Sequence, residues 1–263
     1  GKEYFMVKNS WGTEIGHEGI WYASRTYIAY KTMNIVLHKD IIPAEHLPVF
    51  NATAIECYLY RIPGLSEEFV YFNDDMFINA PCTPKDFFLG GKPRHCPFFT
   101  NLFPMGMSPY FFHIYNNMRI ANRYCRSRRV ALRLIPRSIG RSVGFDWSCK
   151  NLVLLLATAF TKMGYPYVKS SHQAQPMTRS INQQIWDYAT PYLEMTAGHR
   201  FREDTDLSQD LFYDYAIYSG NFKLSHRKEA YYCLSEDSVE AAVEDSGLPI
   251  ALHLDHGDSF ETC

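Results

Sequence analysis

Asp74 and Asp75 are adjacent carboxylates at the end of an apolar and aromatic run, Phe69 to Phe72, which reads as a buried parallel strand. In an open α/β sheet ligands bind at the carboxyl edge of the strands, so Asn73-Asp74-Asp75 is the first place to expect chemistry. Side chains alternate across a strand, so the two aspartates can face one site only if the strand has already turned; otherwise one of them bonds backbone. His172 lies ahead of a helix expected to start at Pro176, where it can act as a general base or donate to phosphate according to its protonation. Arg202 precedes a helix expected near Asp206, so its fork can clamp a phosphate beside the helix end or pair with Glu203 or Asp204. Glu56 falls in the first turn of a helix, where the dipole mildly favours any carboxylate, and on that ground alone it reads as surface. Cys82, His95 and Cys96 have zinc-ligand chemistry, but no second close pair completes a set, and His253, Asp255 and His256 are equally inconclusive.

The elements that must carry these groups follow from punctuation and periodicity. Glu3 to Val7 and Ile20 to Tyr30 predict a hairpin around the turn-rich Asn9 to Gly19, and Met33 to Leu37 predicts another short strand. Asn51 and Thr53 offer helix N-caps, and Ile55, Tyr58, Leu59 and Ile62 recur at helical spacing until Pro63-Gly64 ends a helix of about ten residues. Six prolines between residues 81 and 110 mark an irregular excursion, a candidate acceptor-site loop. Helices are expected from about Ser148 to Lys162, from Pro176 to about Tyr188, and from Asp206 to Tyr218, with Asp206 and Gln209 spaced as a capping box and Gly220 as the stop. A last, acidic helix is expected from Asp237 to Asp245.

Composition bounds the function classes. The chain has 263 residues, 46% of them hydrophobic and 21% charged, which is globular rather than disordered. A net charge of −2 argues against a nucleic-acid surface spread over the molecule, so nucleic acid is not an expected partner. The one strong bias is the eight arginines between Arg119 and Arg141 without an acid, either a solvated basic face or a contact for phosphate, anionic glycan or a membrane surface. The longest apolar run, Leu152 to Phe160, is about half a membrane span and reads as buried core. No secretory signal is expected in Gly1 to Ser10, and seven widely spaced cysteines favour a reducing compartment.

Two family resemblances divide the chain. Lys8-Asn9-Ser10-Trp11-Gly12-Thr13 with Gly16 and Gly19, continuing through Tyr27 to Val36, resembles the carboxyl-terminal end of papain-like cysteine peptidases of the bleomycin-hydrolase type. There Asn9 would orient a catalytic imidazole and Trp11 would shield that bond, but neither cleaves anything alone. From His38-Lys39-Asp40-Ile41-Ile42-Pro43 onward, Leu47 to Glu56, Ile62-Pro63-Gly64-Leu65-Ser66 and Asn73-Asp74-Asp75 resemble the second conserved block of the Stealth family. His172 to Ser180 with Arg200-Phe201-Arg202-Glu203 resembles the third block, and Cys233 to Asp237 is a weaker match to the fourth, with Ser235 where the family usually has Asn. Stealth proteins are bacterial hexose-1-phosphate transferases of capsular polysaccharide synthesis, similar to the N-acetylglucosamine-1-phosphotransferase that acts on lysosomal enzymes in animals.

The resemblance implies an α/β fold with a Rossmann-like parallel sheet, a peptidase-like segment over residues 1–40, and a phosphotransferase domain over 41–263 with an acceptor insert at about 81–147. It implies transfer of a sugar-1-phosphate from a nucleotide sugar to a glycan hydroxyl. By position, Glu56, Asp75, His172 and Arg202 would be catalytic, Asn73 and Arg200 would bind the donor, and Asp74 would hold Mg²⁺. The family's first block, an Asp-Val-Tyr-Thr-Trp-Val-Asp-Gly-like strand, has no counterpart in the sequence, so slow turnover is expected. A cytoplasmic location at the inner membrane face, with contact through Arg119–Arg141, would suit such an enzyme. The alternatives are a peptidase remnant and an inert fusion product.

Overall fold

The computed structural model describes residues 4–8, 20–24, 36–73, 76–78, 82–101, 109–169, 174–225, 229–234 and 251–256, and the chain divides into two compact units, Gly1–Ile41 and Ile42–Cys263. In the first unit, β1 (Tyr4–Lys8) and β2 (Ile20–Ser24) pair antiparallel with Tyr4 opposite Ser24 and Lys8 opposite Ile20, the hairpin that the alternating pattern predicts. A short helix α1 (His38–Ile41) follows, its first backbone amide region closed by Asp40, which accepts from the Leu37 N–H.

The second unit is a mixture of helices and small sheets. Its helices are α2 (Ala52–Cys57), α3 (Pro84–Phe87), α4 (Pro109–Cys125), α5 (Arg128–Leu134), α6 (Phe145–Phe160), α7 (Arg179–Gly198) and α8 (Asp210–Tyr218). Among the described residues, β3 (Glu68–Tyr71) pairs antiparallel with β8 (Gln175–Thr178), and β6 (Phe99–Thr100) pairs antiparallel with β7 (Tyr167–Val168). Parallel pairing joins β5 (Arg94–His95) to β9 (Lys223–Leu224), and β10 (Glu229–Leu234) to β11 (Ala251–His256), the latter also flanked by antiparallel β4 (Met76–Ile78). The described strands therefore form several small sheets rather than one continuous parallel sheet. The Phe69–Phe72 run is a case in point: it forms half of a two-stranded antiparallel ribbon and is only half-buried. An apolar run of four residues states that a strand is covered, not which direction its neighbour runs.

The core lies between α2, α4, α7 and α8. Tyr58 stacks on Trp186 at 5.2 Å, and the Trp186 indole N–H donates to the Cys57 carbonyl at 2.8 Å, which locks α2 onto α7. Leu193, Leu211, Ile217 and Tyr218 are fully enclosed where α7 and α8 meet, and α4 packs along α8 through Ile114, Ile120 and Ala121.

Several element boundaries differ from expectation: α2 ends at Cys57, after six residues rather than about ten, and α6 starts three residues before Ser148. Pro176 belongs to β8, because its fixed φ and missing N–H are tolerated in a two-stranded ribbon; the helix starts at Arg179, capped by Thr178, whose side chain accepts from Ile181 N–H. That helix continues to Gly198 through a kink at Ala189, two residues before Pro191, so the predicted end near Tyr188 coincides with the kink. Asp206 does not cap α8, which begins at Asp210; its carboxylate is fully buried and bonded elsewhere. The apolar run Leu152–Phe160, expected to be core, is half outside: Val153 is 65% and Phe160 63% exposed. The strand expected at Met33–Leu37 is described only at residues 36 and 37, which lie in no element.

Candidate active site

The site begins with Asn51. It is the N-cap of α2, its side-chain oxygen accepting from the Thr53 N–H at 3.2 Å and the Thr53 hydroxyl at 2.7 Å. Its Nδ2 donates to Asp206 Oδ2 at 2.7 Å and lies 3.3 Å from the Phe201 carbonyl. Asp206, fully buried, also accepts from the Glu203 N–H at 3.0 Å and is joined to His199 Nδ1 at 2.6 Å. From the other side, α4 holds the same loop: Asn116 donates to the carbonyls of Asp204 and Asp206, and Asn117 exchanges bonds with Ser208. Phe50 N–H donates to the Arg200 carbonyl and the Phe50 ring stacks on Phe201 at 5.6 Å. The loop 199–209 is thereby fastened to the start of α2, and the two segments separated by about 150 positions become neighbours.

One turn into α2 stands Glu56. Tyr71, at the end of β3, donates its hydroxyl to Glu56 Oε1 at 2.7 Å and also lies against the Asn73 amide. The other carboxylate oxygen, Oε2, is shut away from solvent and finds no hydrogen-bond partner among the described residues. Burial pushes the Glu56 carboxyl up to about 7 from its ordinary 4.5; the Tyr71 hydrogen bond opposes this, Asp210 adds to it, and the Gln209 amide and Arg202 charge oppose it. Asp210 opens α8 and accepts from Gln175 Nε2 at 2.9 Å, and Gln175 sits opposite Tyr71 in the β3–β8 register. One turn further along α8 the buried Asp214 is pushed well up, first by desolvation and then by the Asp210 charge.

Of the residues singled out in the sequence, the structure brings Glu56 and Asn73 together on the Tyr71 hydroxyl, and the Arg202 charge reaches Glu56 through space. Arg202 is exposed, and its charge acts on Glu56; it is paired with neither Glu203 nor Asp204 among the described residues, which leaves its guanidinium open to an anion. Arg200 is exposed on the same loop, two residues away. Asp74, Asp75 and His172 lie outside the described residues, as do Asn9 and Trp11 and the expected helix Asp237–Asp245; the side chains of His253, Asp255 and His256 do too. Asn73 and Ala174, which flank the first three, fall at the same end of the β3–β8 ribbon. No group of three or more His, Cys, Asp or Glu converges to hold a metal among the described residues: His95 is buried edge-on against Tyr213, and the Cys96 thiol faces the Ser142 carbonyl. Sequence reasoning missed Tyr71, Gln175 and Asp210. No local pattern marks them; the Tyr71–Gln175 pairing exists only once the ribbon forms.

Comparison with known proteins bears on what this arrangement does. Residues 23–95 match the model of Stealth protein CR2, conserved region 2. The chain is similar to the Stealth family over this region. That Stealth region contains Asn51, Glu56, Tyr71 and Asn73, and it starts at residue 23, inside the segment that resembles the peptidases. The chain is 33% identical over 198 residues to a receptor polysaccharide phosphotransferase, WefC, of Streptococcus gordonii, covering 74% of this chain and 56% of that protein. A capsular polysaccharide phosphotransferase, WcwK, of Streptococcus pneumoniae is 34% identical over 197 residues, 74% of this chain and 56% of its own length. An exopolysaccharide phosphotransferase, cps2G, of Lactiplantibacillus plantarum is 32% identical over 192 residues, 72% of this chain and 54% of its own. The chain thus spans about half the length of these relatives.

Proposed function

We propose that the chain is part of an enzyme that transfers a sugar-1-phosphate from a nucleotide sugar to a glycan hydroxyl in capsular or exopolysaccharide synthesis. The observation that carries the reading is the buried, half-bonded carboxylate of Glu56 beside the open guanidinium of Arg202, within a chain whose relatives are polysaccharide phosphotransferases. In such a transfer the acceptor oxygen attacks the phosphorus that bears the sugar, the bridging phosphoanhydride bond breaks, and a nucleoside monophosphate leaves. Little covalent chemistry falls to the protein, so catalysis is positioning plus charge neutralisation.

Arg202 supplies two parallel donors to the non-bridging oxygens of the donor, with Arg200 beside it. Glu56, held near neutrality by burial, can take or return a proton at Oε2, and Tyr71 fixes its other oxygen. His172 is the second proton carrier in this reading, and Asp75 completes the acidic set. Among the described residues no ligand set is complete, but the carboxylates of Glu56 and Asp210 and the Asn73 amide are the hard oxygen chemistry that Mg²⁺ takes. Asp74, next after Asn73, would hold the ion with substrate oxygens, and when bound it supplies neutralisation of the phosphate charge. A Rossmann-like parallel sheet as the frame of the complete enzyme, and work at the inner face of a membrane, belong to the same reading.

The test is to incubate the chain with a panel of nucleoside diphosphate sugars and Mg²⁺ and to follow nucleoside monophosphate release. Mg²⁺-dependent release that Arg202→Ala abolishes supports the reading. Binding without any release, or release unaffected by both Arg202→Ala and Asp75→Ala, would overturn it.

A further inference from the structure

The outward side of α6 carries an apolar stripe, with Asp146 and Lys150 exposed along one edge of it. Phe145 is 82% exposed, Val153 65% and Phe160 63%, and Leu152 and Leu156 stand beside them at 38% and 37%. At helical spacing these five positions fall in an arc of about 100°, and Met163, 54% exposed, extends the stripe just past the helix end. The side facing inward carries a buried amide. Asn151 is fully buried there, accepting from the Phe99 N–H at 2.9 Å and donating to the carbonyls of Pro97 at 2.8 Å and Ser138 at 2.6 Å. Those three bonds pin the rotation of the helix, so the apolar stripe cannot turn inward without leaving a buried amide unpaired.

The rim of the stripe is mostly basic, with Asp146 the one acid on it. Arg128 lies 4.7 Å over the Phe160 ring, and Arg126 donates to the carbonyls of Met163 and Thr161. Arg129 and Arg133 are exposed on α5, which packs against α6. Across residues 109–169 there are eight arginines and three lysines, and Asp146 is the single acid. Among the described residues no helix is long and apolar enough to cross a membrane.

We infer that α6 is an in-plane anchor: its apolar stripe seats in the interfacial layer of an anionic lipid bilayer while the arginines of α5 meet the headgroups. An apolar helix face flanked by Arg, with an aromatic near each end, is what the headgroup boundary accommodates. A second copy of the chain fits poorly, because a two-fold contact through the same stripe sets arginine rim against arginine rim. The inference goes beyond the basic segment as an electrostatic contact, since it places the apolar face of α6 in the bilayer. It does not depend on phosphotransfer.

The experiment is co-sedimentation of the full chain with phosphatidylcholine vesicles, with and without phosphatidylglycerol, at low and high salt. The chain is expected to sediment with the anionic vesicles at least about tenfold better than with the neutral ones. Val153→Glu should lower the partition on the order of tenfold, and Arg129→Ala and Arg133→Ala about fivefold each, with the thermal melt of each variant unchanged. Absence of binding to anionic vesicles overturns the inference. So does equal binding by Val153→Glu, which would leave the arginines as the whole contact. Self-association that Val153→Glu removes, without lipid binding, would assign the stripe to a second copy instead.

Discussion

Glu56 is the residue on which the site turns, and its burial has a measurable sign. Its folded value, about 7, lies above the ordinary 4.5, so the stability it contributes is complete below pH 4.5 and is lost as pH rises through about 7. Glu56→Gln keeps an acceptor for Tyr71 and removes the charge. The variant should therefore be more stable than the parent at pH 8, by up to roughly 3 kcal/mol, and no more stable at pH 4, read by denaturant unfolding at both pH values. Tyr71→Phe removes a hydrogen bond that favours the charged carboxylate. The acid limb of the pH–rate profile for monophosphate release should then move to higher pH, and an unmoved limb would separate Glu56 from the titrating step. Arg202 is exposed and forms no ion pair among the described residues, so Arg202→Ala should cost activity by about two orders of magnitude while leaving the melting temperature within a degree or so. Glu56 was readable in the sequence only through a family likeness, since the carboxylate expected in a first helical turn is ordinary; the structure places it past that turn, fifth of the six residues of α2. What makes it unusual is the enclosure of Oε2, and no neighbour in sequence provides that.

At the scale of elements, the helix start at Asn51 does two things that its sequence pattern discloses only in part. The cap was legible, because Asn before a helical repeat satisfies the first free N–H groups. The clamp on loop 199–209 was not, because its partners, Asp206 and the Phe201 carbonyl, come from a distant segment. Asn51→Ala should lose both, at about 2–4 kcal/mol in denaturant unfolding. Asn51→Ser, which restores the cap alone, should recover only about 1 kcal/mol of that; full recovery would show that the clamp contributes nothing. Asp206 shows the same division. The spacing to Gln209 suggested a capping box, yet buried acceptors go where the most donors converge, and Asn51, His199 and the Glu203 amide outnumber what a helix end offers.

For the whole molecule, a net charge of −2 conceals a strong asymmetry, with eleven basic residues and one acid over 109–169. The chain should be retained on a cation exchanger at neutral pH and low salt despite its negative total, and released as salt screens the basic surface. Flow-through at low salt would mean that the segment is neutralised within the fold.

Periodicity, caps and breakers in the sequence were enough to place the hairpin of β1 and β2, the start of α2, the bulk of α6 and the Gly220 stop of α8, where a φ of +72° suits glycine. These features are local: each depends on residues within a turn or two of one another. The sequence likewise carried the Stealth likeness and, through it, singled out Glu56 and Arg202 as candidates. Strand direction in the β3–β8 ribbon, the burial of Glu56, the partners of Asp206 and the outward rotation of α6 were settled only by tertiary structure. Each of these depends on which distant groups share one enclosed volume, and desolvation, the force that shifts a carboxyl or turns a helix on a buried amide, exists only once that volume has closed.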